Sequence, residues 1–460
     1  NGVNGFTVSG RATSQRLGYS VSSAGDMNGD GIDDIAIASD WSPREVLVIY
    51  GGSGESYPTK SSDLDGNNGF VITNSASYSD HVVAPAGDVN GDGFDDILIG
   101  EESADPNSLT DAGIAYVVYG KATMASSLSL TGLDGTNGFS IEGFNPYSKV
   151  GFSVAVAGDV NKDGCSDLII GAGASDLNGY YNSAASFVIY GGHNLSHPFV
   201  LNLINGTNGF QIEEVDDSAC CGHSSSVSPA GDVNGDGFDD IIFGSRSADP
   251  NGLTNAGERG KNLPHPFYLA HLNGTNGFAV EGVAEYDQSG YAVSNAGDVN
   301  GDGYADVIIG APDSDLNGEQ SGCSYIIYGG VNITHPFELS SLNGQNGIRL
   351  DGFNLYDESG TSVSNAGDIN GDGLGDIIIG APEAYPDGMS RAGESYIVYG
   401  SRSLAHPLLL SSLNGLNGFR LTGIGRSDYS GTSVASAGDF NGDGYDDVMI
   451  GAFRADTDAY

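Results

Sequence analysis

Gly25-Asp26-Met27-Asn28-Gly29-Asp30-Gly31-Ile32-Asp33-Asp34 runs straight into the apolar stretch Ile35-Ala36-Ile37-Ala38. The same pattern, G-D-x-N-x-D-G-x-x-D, starts again at Gly87, Gly158, Gly231, Gly297, Gly367 and Gly438. Counting from the first Asp, oxygen-bearing side chains occupy positions 1, 3, 5 and 9, and Gly occupies position 6. A hard cation such as Ca²⁺ takes 6–8 oxygen ligands. One loop supplies them from alternate residues only by curling tightly, which a Gly permits by entering backbone conformations closed to other residues. Position 7 adds a backbone carbonyl. The alternative is an Asp/Asn/Gly-rich hairpin turn without metal, since those residues favour turns in any case. A turn, however, requires neither the fixed ligand spacing nor its sevenfold repetition.

The candidate calcium ligands are therefore thirty-five. Position 1 is Asp26, Asp88, Asp159, Asp232, Asp298, Asp368 and Asp439, and position 3 is Asn28, Asn90, Asn161, Asn234, Asn300, Asn370 and Asn441. Position 5 is Asp30, Asp92, Asp163, Asp236, Asp302, Asp372 and Asp443. Position 7, through its carbonyl, is Ile32, Phe94, Cys165, Phe238, Tyr304, Leu374 and Tyr445, and position 9 is Asp34, Asp96, Asp167, Asp240, Asp306, Asp376 and Asp447. An EF-hand would carry a bidentate Glu at position 12 between two helices. Here position 12 is apolar throughout (Ile37, Ile99, Ile170, Phe243, Ile309, Ile379, Ile450), inside a β-branched run that reads as a buried strand. The loop therefore joins strand to strand. In this it resembles the FG-GAP repeats of integrin α-subunit N-terminal propellers and their prokaryotic relatives, and the resemblance covers the whole chain.

Composition agrees with an all-β reading. Of 460 residues 73 are Gly and 39% are hydrophobic, enough for a large core punctuated by turns and unfavourable to helix. A formal charge of −44 disfavours nucleic acid and anionic membrane surfaces as partners. Of the 60 acidic residues 25 lie in the seven loops, counting Asp33, Asp95, Asp239 and Asp446, and seven Ca²⁺ would bring the charge from −44 to −30. Metal binding is then expected to contribute to folding.

The first Asp residues are spaced 62, 71, 73, 66, 70 and 71 apart. A period of about 70 residues suits a four-stranded propeller blade with generous loops. In the sixth unit the strands are Thr361-Ser362-Val363-Ser364-Asn365-Ala366, Ile377-Ile378-Ile379, Ser395-Tyr396-Ile397-Val398-Tyr399 and Gly418-Phe419-Arg420-Leu421. The second strand ends at Gly380-Ala381-Pro382, and the turn Asn414-Gly415-Leu416-Asn417 introduces the fourth. The reading is one seven-bladed β-propeller of antiparallel four-stranded blades. Its units are 11–75, 76–143, 144–214, 215–282, 283–352, 353–423 and 424–460, the last completed by an outer strand within 1–10 as the resemblance implies. Two units depart from the pattern. In the fourth, the third strand expected after Gly257-Glu258 is missing, so the outer strand at Phe278-Ala279-Val280 should pair directly with the second. In the seventh the chain stops at Tyr460 before its third strand, so the native chain is expected to continue.

Candidate catalytic residues are few. His197, His265, His335 and His406 all sit in a His-Pro step between third and fourth strands, which marks a structural role, and His81 and His223 read as packing or surface residues. Cys165, Cys220, Cys221 and Cys323 fit neither a disulfide framework nor a zinc spacing, leaving a long-range bridge and free thiols both open. Asn194, Asn205, Asn273 and Asn332 head glycosylation sequons. No apolar run is long enough to span a bilayer.

Binding is the better class of function. Loops at the end opposite the calcium hairpins present Tyr78, Phe144 with Tyr147, Tyr286 with Asp287, Tyr356 with Asp357, and Tyr429; covering the neighbouring blades is their alternative role. The resemblance implies an extracellular or surface-exposed adhesion or ligand-binding module that is not an enzyme, meeting a protein or glycan on that face. The alternative is an accessory propeller of a larger secreted enzyme, such as a phospholipase.

Overall fold

The computed structural model describes residues 5–11, 15–53, 57–73, 81–175, 183–193, 195–213, 226–245, 254–256 and 266–455. It is an all-β propeller; the short helices among the described residues are 3₁₀ turns. Its strands form seven sheets. The second is representative. Val82–Gly87, Asp96–Glu101, Ile114–Val118 and Gly138–Glu142 pair antiparallel in chain order, from the inner strand outward. Each inner strand ends at a Gly with positive φ, such as Gly25 at +63°, after a register shift that turns the chain into the Asp-rich loop.

The second strands are buried on both faces because alternate side chains point to opposite neighbours. Leu168 and Ile170 pack with Val117 and Phe139 of the second sheet, whereas Ile169 packs with Val227 and Ile241 of the fourth. Seven apolar clusters repeat this around the molecule. The last joins Val21, Ile35 and Leu47 of the first sheet to Ala437 and Met449 of the seventh, so the two ends of the chain share a core.

The structure corrects the expected strand counts. In the fourth sheet a third strand is present: Thr254–Ala256, three residues long, lies between Asp240–Gly244 and Phe278–Glu281 and pairs with both. The outer strand thus does not pair with the second. The strand lies just before the Gly257-Glu258 expected to introduce it, and residues 257–265, with His265, are outside the described residues. Five sheets also carry a fifth strand, which the reading of antiparallel four-stranded blades missed. It is parallel and two or three residues long, drawn from the next sheet, as Ser127–Ser129 is against Val71, Ile72 and Thr73.

In the seventh sheet only Ser433–Gly438 and Asp447–Gly451 are paired among the described residues. The N-terminal segment meets the first sheet at the parallel bridge Ser9–Lys60, in the register of Thr73–Ser129. It forms no ladder with Asp447–Gly451. Instead Phe6 stacks on Tyr57 and Phe440, ring centroids 4.6 and 5.6 Å apart. Between this segment and the edge of Asp447–Gly451 runs a groove of about 1270 Å³.

Candidate functional site

Each Asp-rich loop is built around its first carboxylate. Asp26 Oδ1 accepts hydrogen bonds from the backbone N–H groups of Gly29 (2.7 Å) and Asp30 (3.0 Å), and Oδ2 accepts from Gly31 (2.8 Å). Asp88, Asp298 and Asp368 repeat all three bonds. Position 5 accepts from the position-7 N–H, as Asp30 does from Ile32 at 3.0 Å. The position-6 glycines have φ between +81° and +93°, and a Cβ at Gly31 would meet nothing, so dihedral freedom and not space selects Gly there.

Position 9 is the structural pivot. Asp34 Oδ2 accepts from Met27 N–H at 3.0 Å and Oδ1 from Gly51 N–H at 2.9 Å, tying the loop to the Gly that closes the third strand. Asp96 with Gly120, Asp167 with Gly191, Asp306 with Gly329 and Asp376 with Gly400 do the same. All of these carboxyls, and Asp240, are fully buried. Burial, aided by the neighbouring loop aspartates, pushes Asp34, Asp96, Asp167 and Asp240 up to about 8, Asp306 to about 7 and Asp376 to about 6.

Among the described residues no group of three or more His, Cys, Asp and Glu side chains is drawn together as a metal site. Among the described residues Asn90 Oδ1 at position 3 and Asp240 Oδ1 at position 9 are nevertheless buried acceptors without a hydrogen-bond partner, and no basic side chain there forms an ion pair with a position-9 carboxyl. An all-oxygen donor set with orphaned acceptors and uncompensated buried carboxyls fits a hard cation.

Two loop positions have roles that the ligand spacing does not reveal. The position-7 side chain packs on the position-4 Gly of the preceding loop: a Cβ at Gly29 would lie 2.5 Å from Phe94, one at Gly235 2.4 Å from Tyr304 and one at Gly371 2.5 Å from Tyr445. In the third loop position 4 is Lys162, held at φ +58°, and its Nζ lies 3.8 Å from the centroid of Phe238. Position 8 clamps the same neighbour. Asp95, Asp239 and Asp446, counted from sequence as loop charge, accept from the backbone N–H of Asp26 (2.9 Å), Asp159 (3.1 Å) and Asp368 (2.6 Å).

At the opposite end of the sheets the corners before the third, sixth and seventh inner strands are pinned to the preceding sheet. Tyr147 and Lys149 donate backbone bonds to Thr110 and Asp111, and Tyr356 and Glu358 to Glu319 and Gln320. Residues on either side of the corner have positive φ (Tyr147 +64°, Lys149 +53°; Tyr356 +61°, Glu358 +51°), with a buried polar residue, Ser148 or Asp357, between them. The corner thus turns Tyr147 and Tyr356 outward, and Tyr286, in the same setting, is 87% exposed. The aromatic residues expected to form one surface separate accordingly. Tyr429 is half-buried, Phe144 packs against the core, Asp287 and Asp357 are buried, and Tyr78 lies outside the described residues.

The histidines are structural where described. His197, His335 and His406 each accept at Nδ1 from the outer strand of the preceding sheet, at Ser140 (3.3 Å), Ala279 (3.1 Å) and Arg349 (3.3 Å). Buried His81 pairs with Glu101 at 2.9 Å, a contact absent from the sequence reading. Cys165 and Cys323 are buried free thiols; Cys220, Cys221, His223 and Asn194 lie outside the described residues. Among the described residues no helix is long and apolar enough to cross a membrane.

The family model described as FG-GAP repeat matches residues 17–57, 82–118, 150–188, 224–258, 289–327, 359–398 and 430–459. Integrin alpha-V of Gallus gallus is 30% identical over 251 residues, 52% of this chain and 21% of its own length. Integrin alpha pat-2 of Caenorhabditis elegans is 30% identical over 244 residues, 51% and 18% of the two chains. Integrin alpha-5 of Xenopus laevis is 32% identical over 200 residues, 41% and 17%. The match thus spans about a fifth of the length of these curated relatives.

Proposed function

Because this chain belongs to the FG-GAP repeat family, we propose that it is a calcium-binding adhesion or ligand-binding module at the cell surface or outside the cell, and not itself an enzyme. In this reading residues 1–460 form one propeller whose seven sheets are its blades, each Asp-rich loop takes up one Ca²⁺, and a protein or glycan partner meets the opposite end. Likeness to integrin α chains supports the class of function. The observation that carries it is the repeated corner that holds Tyr147, Tyr286 and Tyr356 outward.

That corner has a cost. Non-Gly residues in the left-handed region are disfavoured by roughly 1–2 kcal/mol each, and such strain concentrates where a surface must be held for recognition. Rings on a rigid scaffold give up little entropy when a partner covers them. An extracellular setting also suits the metal, since modules of this kind hold Ca²⁺ at roughly 10⁻⁴–10⁻³ M, far above cytosolic supply.

The test is adhesion of cells to the immobilised chain. Adhesion in millimolar calcium should fall when Tyr286 and Tyr356 are both replaced by Ala without a change in melting temperature. Adhesion that never exceeds that to an inert protein, or that ignores both substitutions, defeats the proposal.

A further inference from the structure

The opposite end of the molecule is not uniform around the axis. Only 16 Lys and Arg offset 60 Asp and Glu in this chain, yet one arc of loops is built from arginines and aromatic rings in alternation. Arg16 Cζ stands 5.2 Å from the centroid of Trp41, in the first sheet, and 5.9 Å from that of Phe453, in the seventh. Arg454 stands 5.2 Å from Phe453 and 4.7 Å from Tyr429, and Arg391, from the sixth sheet, stands 5.8 Å from Tyr429. Six residues from three sheets thus form one continuous stack. Its equivalents elsewhere differ: the corner position held by Arg16 is Lys149, Gln288, Glu358 or Tyr429 in the other described sheets. Repetition marks structure in a ring, and departure from it marks a site.

Arg16 pairs with Asp40 at 3.0 Å and Arg391 with Glu383 at 2.8 Å, which fixes both guanidinium planes. Arg454 is exposed and, among the described residues, meets no carboxylate, so its N–H fork is available to an acceptor. Trp41, the only Trp in the chain, is 51% exposed at the far end of the arc, beyond Arg16. Stiffening the loops would account for the stacking, but not for a guanidinium that meets no carboxylate among the described residues in the middle of the series and a half-exposed indole at its end.

We propose that this arc binds an acidic glycan, the half-exposed indole of Trp41 taking the apolar face of one sugar unit and the Arg454 guanidinium taking the carboxylate of another. This rests on the ligand-binding reading above and names the ligand class. Guanidinium groups recognise carboxylates through paired N–H donors. An extended acidic peptide is the poorer fit, because such peptides are held chiefly by backbone hydrogen bonds to a sheet edge, and the arc offers side chains from loops. With so negative a chain, attraction is confined to short range and should weaken with salt.

Trp41 supplies the readout. Titration of the whole chain with a hexasaccharide of alternating glucuronate and N-acetylglucosamine should change Trp fluorescence saturably, and calorimetry should give the same affinity. Arg454→Gln should weaken binding tenfold or more with unchanged melting, Arg454→Lys should retain part of it, and Lys121→Gln, on the Asp-rich loop side, should bind as wild type. No binding, or unchanged binding in Arg454→Gln, overturns the proposal. Equal affinity for the neutral N-acetylglucosamine hexamer overturns its acidic character, and binding of a glutamate peptide in place of the sugar overturns the glycan. Adhesion without hexasaccharide binding defeats this inference alone, whereas loss of both defeats the ligand-binding reading with it.

Discussion

Asp33 and Asp439 lie 406 residues apart in sequence, and the carboxylate of the first accepts a hydrogen bond from the backbone N–H of the second at 3.1 Å. The same clamp joins Asp95 to Asp26 and Asp239 to Asp159 within the chain, so the contact between first and seventh sheets is chemically an ordinary one. Gly52 N–H to Phe440 O at 2.9 Å and Val21 N–H to Ser433 Oγ at 3.1 Å support it. Burial and the charges of Asp446, Asp95 and Asp26 raise the Asp33 pKa against the effect of the bond from Asp439.

Asp33→Ala should therefore loosen the seam. Leaving the Asp439 N–H unpaired is expected to cost about 1 kcal/mol or more, seen in chemical denaturation, and to make limited proteolysis begin at the N-terminal segment. An Asp33→Ala chain cleaved no faster there than wild type would show that the apolar cluster alone holds the seam.

Calcium at millimolar concentration should raise the melting temperature strongly, and chelator should reverse it. Asp302→Ala should remove one site from the calorimetric stoichiometry of the whole chain while leaving adhesion to the opposite end intact. Unaltered stoichiometry in Asp302→Ala would show that position 5 is not a ligand.

The chelated chain should lose stability as pH rises from about 4 to about 8. The position-9 carboxyls titrate near 3.9 when unfolded, whereas in the fold Asp34, Asp96, Asp167 and Asp240 are pushed up to about 8. A raised carboxyl favours the fold while protonated and loses that contribution as pH passes through the folded value. Calcium should reverse the slope because it favours the ionised form. Melting curves of the chelated chain that improve from pH 5 to 8 would contradict the burial argument.

Gly29→Ala should be costly and Lys162→Gly nearly neutral, although both change position 4 of a loop. A Cβ at Gly29 meets Phe94 at 2.5 Å from a backbone at φ +75°, so a loss of about 1–2 kcal/mol is expected from the dihedral alone. Lys162 already bears that strain, and Gly would relieve it while giving up a contact with Phe238 of roughly 0.5–1 kcal/mol. Denaturant midpoints decide this, and an equal loss in both variants would refute the inter-loop packing.

Amides of Phe278, Ala279 and Val280 should exchange faster than those of Ile348, Arg349 and Leu350. The former pair with a three-residue strand and the latter lie within a five-residue register, so fewer bonds must open. Equal protection would mean that the shortened strand holds its sheet as firmly as a full one.

Within a repeat the structure follows from short-range sequence rules. The Gly at position 6 announces its positive φ, as Gly31 shows at +88°, and alternation about Ile377-Ile378-Ile379 announces a doubly buried strand. The His-Pro step announces a structural imidazole, as His335 is to Ala279. Each is a local rule of backbone or pattern, legible over a few residues. What passes between repeats was decided only in three dimensions. Asp33 looks like loop charge until it meets Asp439, Lys162 looks like an irregular loop residue until Phe238 lies beneath it, and Thr254–Ala256 was overlooked because three residues carry too little pattern to announce a strand. Arg16 stands hundreds of residues from Arg391 and Arg454, and the three share no motif. They meet because the sheets pack side by side around an axis and bring the first against the seventh, a neighbourhood that ring closure creates and no sequence window contains.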